Sequence, residues 1–124
     1  MKITGLNDIA IYKTALLLTQ KVYQVTKHEN LRKEYALVDQ IRRAAISVAA
    51  NIAEGYGRNT RRDFAQFLSI SLGSVNEVIT YLDFITLEFH IETTALKSEY
   101  LILSKQIYTF RSYLLRTLDF KKTK

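Results

Sequence analysis

The chain contains no proline, and only four glycines interrupt its 124 residues. Those two residue types enforce most sharp reversals, so a sequence poor in both favours long helices joined by few turns. The apolar pattern agrees. After Asn7 or Asp8, either a good N-cap, Ile9, Tyr12, Leu16 and Tyr23 mark one helical face, with Leu18, Val22 and Val25 on an adjoining one. This first helix is expected over about residues 8–28, ending around "KHENLRK". A second is expected over about 32–55, where Gly55 and Gly57 offer the left-handed conformation that stops a helix.

Thr60 and Asp63 have the spacing of a capping box and open a third helix over about 61–90. Its inward face is marked by Phe64, Leu68, Val75, Ile79, Leu82 and Phe89. After the break "HIETTA", Thr93 or Thr94 can cap a fourth helix over about 94–119. There Leu96, Tyr100, Leu103, Ile107, Phe110 and Leu114 alternate steps of four and three, a seam suited to a long antiparallel neighbour. Four amphipathic helices with short connections give one all-α domain over 1–124, an antiparallel up-and-down four-helix bundle. The "KKTK" end reads as a solvated tail.

Composition excludes more than it selects. With no cysteine there are no disulfides, thiolate metal sites or cysteine nucleophiles. The N-terminus lacks the pattern of a secretory leader, since Asp8 and Lys13 break its apolar stretch. No window has the run of roughly 18 apolar residues that spans a membrane. A soluble cytoplasmic protein without membrane partners is the expectation. The net charge of +6 is laid out unevenly. Residues 1–62 carry 11 bases and 5 acids, 63–100 carry 1 and 6, and 101–124 carry 6 and 1. Such a dipolar protein attracts polyanions on one side, or pairs its acidic third helix with basic neighbours.

The stretch "QIRRAAISVAANIAEGYGR" holds the most information. At about 100° per residue, Gln40, Arg43, Ser47, Asn51 and Glu54 fall in a polar band roughly 80° wide. An apolar stripe of Leu37, Ile41, Val48 and Ile52 flanks it, and beyond lies a small-residue stripe of Ala45, Ala49 and Ala53 beside Ile46. Two packing stripes predict a helix covered on two sides. The polar band has two readings. It is the solvated face, or it is a hydrogen-bonded ladder at a helix–helix seam, within or between subunits, with Arg43 buried against Glu54 or Glu77. The ladder makes Arg43→Ala strongly destabilising.

Together with "FAQFLSISLGSVNE", this stretch resembles the four-helix-bundle proteins encoded by intervening sequences in bacterial 23S ribosomal RNA genes. The similarity rests on Gln40 to Ala44, Ser47, Asn51 to Gly57, and on Phe64, Phe67, Leu68, Leu72, Gly73, Ser74 and Glu77. It implies an up-and-down bundle assembling into a homopentameric ring of undefined biochemical role. More distantly, the chain is similar to the accessory protein of diversity-generating retroelements, a basic pentameric bundle that binds nucleic acid. The family commonly has a proline before the second helix, and "HENLRKEYAL" has none, which bears on where that helix starts.

Three classes of function compete. Arg58, Arg61 and Arg62 cluster at the turn between helices two and three, with Tyr56 and Asn59 positioned to stack on a base or contact ribose. Repeated round a ring, they form a basic rim for RNA or DNA. The plain alternative is that these arginines are solvated or support helix ends. A scaffold binding a protein partner fits the two-sided second helix equally well. An enzyme is the weakest reading. Ser47, Ser71 and Ser74 have no histidine at helical spacing, and Ser71 is expected to bond back to its own preceding turn. His28 and His90 fall in loops, the Glu-x-x-His pattern of di-metal bundles is absent, and "EGYG" lacks the residues of a phosphate loop. Neither a cofactor nor a metal is expected.

Overall fold

Steps of three and four along the sequence become four α-helices in the computed structural model, which describes residues 5–122, with side chains described to Thr117. They are α1 (Ala10–Thr26), α2 (Tyr35–Tyr56), α3 (Arg61–Phe89) and α4 (Thr94–Lys122), preceded by a 3₁₀ turn at Leu6–Asp8. No strand occurs among the described residues. Each helix packs on its neighbours in sequence, and α1 closes the ring against α4. That is the expected up-and-down bundle, held together by antiparallel neighbours.

The core follows the predicted seam of α4 closely. Tyr100, Leu103 and Ile107 are fully buried, Leu96 and Leu114 nearly so, and Phe110 is half-buried. They meet Leu68, Val75, Val78, Leu82 and Ile85 of α3, Ile41, Val48 and Ile52 of α2, and Leu18 and Val22 of α1. Of the two apolar faces read in α1, packing favours the second. Its Leu18–Val22 stripe enters the core with Ile11 and Ala15, and Leu16 stays 45% exposed.

Helix α2 is covered on two sides within its own chain. Its alanine stripe faces α1, where Thr19 Oγ1 donates to the Ala45 carbonyl at 3.2 Å. Its Val48 side faces α3, where Ser71 Oγ donates to the Val48 carbonyl at 2.8 Å. Ser71 therefore reaches across to α2 instead of bonding to its own preceding turn. Small side chains on both helices permit this close approach.

Several helix ends differ from the sequence reading. Asn7 and Asp8 do not cap α1; they lie in the 3₁₀ turn, where the Asp8 carboxylate accepts from Gly5 N at 3.0 Å. The loop at residues 27–34 is longer than expected and is pinned by fully buried Leu31, so α2 begins at Tyr35. Gly57 ends α2 with ordinary right-handed angles (φ −77°), and Gly55 is buried inside the helix. The left-handed position belongs to His90 (φ 57°), which terminates α3. Thr60 caps α3 as expected, accepting from Asp63 N at 3.1 Å. Ahead of α4, the Glu92 carboxylate accepts from Thr94 N, and Thr93 instead donates to the Leu82 carbonyl. Helix α4 runs on to Lys122, and the remainder of "KKTK" lies outside the described residues.

Candidate nucleic-acid interface

The antiparallel arrangement brings the start of α3, the end of α2 and the last turns of α4 to one end of the bundle. The turn at residues 57–60 is short because α2 and α3 approach each other closely at Gly55. An added Cβ there would lie 2.7 Å from Phe64 Cδ1 and 2.9 Å from Phe67 Cβ. Above this contact Tyr56 meets Phe64 edge-on at 6.4 Å, and Phe64 meets Phe110 of α4 at 5.4 Å. An aromatic layer thus seals the core and leaves the turn in solvent.

The five predicted contact residues separate by environment. Arg58 lies over the Phe67 ring at 4.7 Å and pairs with Glu54 at 2.9 Å, its side chain still 46% exposed. Arg61 donates to Thr117 Oγ1 of α4, with its guanidinium 5.9 Å from the Tyr113 ring. Tyr56 is half-buried in the aromatic layer. Of the five, only Asn59 and Arg62 are exposed with no hydrogen-bond or ion-pair partner among the described residues.

Two further arginines join this end that the local sequence cluster did not include. Arg111 Nε donates to Ser69 Oγ at 2.6 Å, and the Arg116 guanidinium lies 6.0 Å from the Tyr113 ring. The signal was present in the basic balance of residues 101–124. Antiparallel parity then carries the end of α4 beside the α2–α3 turn.

The polar band of α2 divides in three within the single chain. Its middle is a seam with α3: Asn51 Nδ2 donates to Ser47 Oγ at 2.9 Å, and Ser74 Oγ donates to Ser47 Oγ at 2.9 Å. Gln40 accepts from Tyr81 Oη at 3.3 Å. Arg43 is not buried against Glu54 or Glu77. It is 77% exposed and pairs with Asp39, one turn away, at 2.8 Å. Glu54 turns to Arg58 and Glu77 is exposed. The geometric reason is the α2–α3 crossing, which points positions 47 and 51 inward and rotates position 43 outward.

The serine hydroxyls are engaged with one another and with backbone, and His28 and His90 are exposed. Among the described residues no group of three His, Asp or Glu side chains is placed to hold a metal ion. No described helix is long and apolar enough to cross a membrane.

Against protein families, the model of the 23S rRNA-intervening sequence proteins matches residues 7–109. The chain belongs to that family. The 23S rRNA-intervening sequence protein fold is also seen in a crystal structure from Bacteroides thetaiotaomicron, a protein of unknown function from the S23 ribosomal protein family. The two superpose with a TM-score of 0.74 over 82% of this chain and 98% of the other, at 22% identity. That likeness establishes the shared bundle. Among curated proteins none matches the chain. Within the matched span lie Arg58, Arg61 and Arg62, and Tyr113 and Arg116 lie beyond it.

Proposed function

We propose that this protein is a non-enzymatic homo-oligomer, in its expected form a pentameric ring, that binds RNA through the basic end of each bundle. Arg62 carries the reading. It stands in the first turn of α3, exposed and unpaired among the described residues, where the helix dipole disfavours a cation. Stability gives no reason to keep a cation there, and an incoming phosphate does. Arg58, Arg116 and Asn59 flank it at the same end. A family defined by sequences within 23S rRNA genes makes RNA the first polyanion to test.

Support for assembly comes from the outer groove between α1 and α2. Tyr12, Leu16, Ile46, Ala49, Ala50 and Ala53 line it, with Leu16 45% and Ile46 48% exposed. Contiguous apolar surface of this kind suits burial against another subunit. A ring would repeat the basic end and convert weak phosphate contacts into avidity.

Titration of a short RNA at low and at physiological salt tests the reading, with light scattering to follow assembly. Binding is expected to fall steeply with salt. An Arg58/Arg61/Arg62 triple alanine variant should lose RNA and keep its oligomeric mass. Failure of the wild type to retain any RNA at low salt ends this reading. A second reading, a scaffold for a protein partner, draws on Phe84 (46% exposed) and Leu87 (76% exposed) toward the opposite end of the bundle. Binding there would barely respond to salt.

A further inference from the structure

Tyr108 stands on the outer face of α4, 59% exposed, with no ring or hydrogen-bond partner among the described residues. One turn before it is Lys105. Further along the same face come Ser112, Tyr113 and Arg116, and these side chains line a shallow groove of about 670 Å³. The groove continues past Tyr108 toward Leu72 and Asn76 of α3. From Tyr100 to Leu118 the sequence holds three bases, Lys105, Arg111 and Arg116, and no acid.

The outer face of a bundle helix is ordinarily solvated by mixed charges. This face instead sets two aromatic rings, Tyr108 and Tyr113, between two cations, Lys105 and Arg116. Tyr113 has a defined job within it, since the Arg61 and Arg116 guanidiniums lie 5.9 and 6.0 Å from its ring. The ring holds both cations at one end of the groove with donors still available. Phe110, stacked on Tyr113 at 6.4 Å with a 13° interplanar angle, fixes that ring against the core. Tyr108 is the one aromatic of the groove with an uncommitted face.

We infer that this groove is a track for single-stranded RNA, with Tyr108 stacking on a base and Lys105 and Arg116 contacting phosphates on either side. The inference rests on the RNA-binding reading and narrows it. In a duplex the bases cover one another, so a lone exposed phenol gains nothing from it, whereas every unpaired base offers a free face. Lys105 and Arg116 are eleven residues apart, roughly 16 Å along the helix, a span suited to a few nucleotides. The acid-free stretch of α4 supplies the charge complementarity.

The test compares wild type, Tyr108→Ala, Tyr108→Phe and a Lys105/Arg116 double alanine variant. Each is titrated with one short RNA, as a single strand and as a duplex, carrying a fluorescent adenine analogue quenched by stacking. Wild type is expected to prefer the single strand and to quench the analogue. Tyr108→Ala should weaken single-strand binding at least about fivefold, abolish the quench and leave the salt slope unchanged. Tyr108→Phe should retain both affinity and quench, and the double variant should flatten the salt slope. Tyr108 is exposed, so thermal midpoints should stay in place. Equal binding of single strand and duplex, unaltered by Tyr108→Ala, would overturn the track while leaving RNA binding at the α2–α3 turn intact. A change of oligomeric mass in Tyr108→Ala without loss of stacking would overturn it too, by assigning this face to a second copy. Absence of any RNA binding by the wild type removes both readings together.

Discussion

Phe64 closes over Gly55 so tightly that a Cβ on the glycine would stand 2.7 Å from Phe64 Cδ1. Phe67 Cβ, 2.9 Å away, lies next to its own backbone and cannot swing aside. Gly55→Ala should therefore destabilise the fold by about 1–3 kcal/mol, the usual cost of overpacking. Gly73 makes the matched control. It is also helical, but nothing lies within 4 Å of a Cβ built there. Gly73→Ala should stabilise by about 0.5–1 kcal/mol through helix propensity alone. Urea denaturation of the two variants should give opposite signs; equal signs would show that the Gly55 contact does not govern the turn.

Arg43 offers a direct check on where subunits meet. As an exposed i, i+4 partner of Asp39 it contributes at most about 0.5 kcal/mol. Arg43→Ala should leave the melting temperature within a degree or two of wild type. A large drop that depends on protein concentration would place Arg43 inside a subunit interface.

Arg61 and Arg62 should behave differently despite being adjacent. Arg61 ties α3 to Thr117 of α4, so Arg61→Ala should lower thermal stability as well as RNA affinity. Arg62 has no partner among the described residues. Arg62→Ala should leave stability unchanged or slightly improved, because a cation is removed from a helix N-terminus. Its RNA affinity should fall, with the salt slope reduced by about one.

Tyr100 predicts an alkaline transition. Its phenol is fully buried, and burial pushes its ionisation well above the ordinary tyrosine value. The Thr19 hydroxyl beside it opposes that rise more weakly, and Tyr100 Oη makes no well-formed hydrogen bond. The folded state keeps the proton where the unfolded chain releases it, above about pH 10. Stability is thus intact below that pH and falls as pH rises toward the folded-state value, by up to about 1.4 kcal/mol per unit for this group. Tyr100→Phe should remove that part of the slope in urea melts taken between neutral and alkaline pH. It should cost little at neutral pH, since the hydroxyl it deletes makes no well-formed hydrogen bond. An unchanged slope would mean that Tyr100 ionises as readily folded as unfolded.

The sequence by itself determined the elements and the bundle. A helical period of 3.6 is a local property, so the α4 seam from Leu96 to Leu114, the Thr60 cap and the two packing stripes of α2 could be read without knowing any neighbour. The residues that carry the family resemblance were legible for the same reason. What only the tertiary structure decided was orientation about each helix axis and the company each side chain keeps. Leu16 and Leu18 both sit in apolar patterns of α1, and only packing against α2 and α4 sends Leu18 inward. Gly55 reads as a helix stop until Phe64 is seen lying on it. Arg43 and Ser47 share a polar band, yet the α2–α3 crossing buries one edge of that band and bares the other. Arg116 is more than fifty residues from Arg58, and antiparallel closure of the bundle sets both at one end. Such relations depend on how helices cross, and helical periodicity along a single chain does not encode that angle.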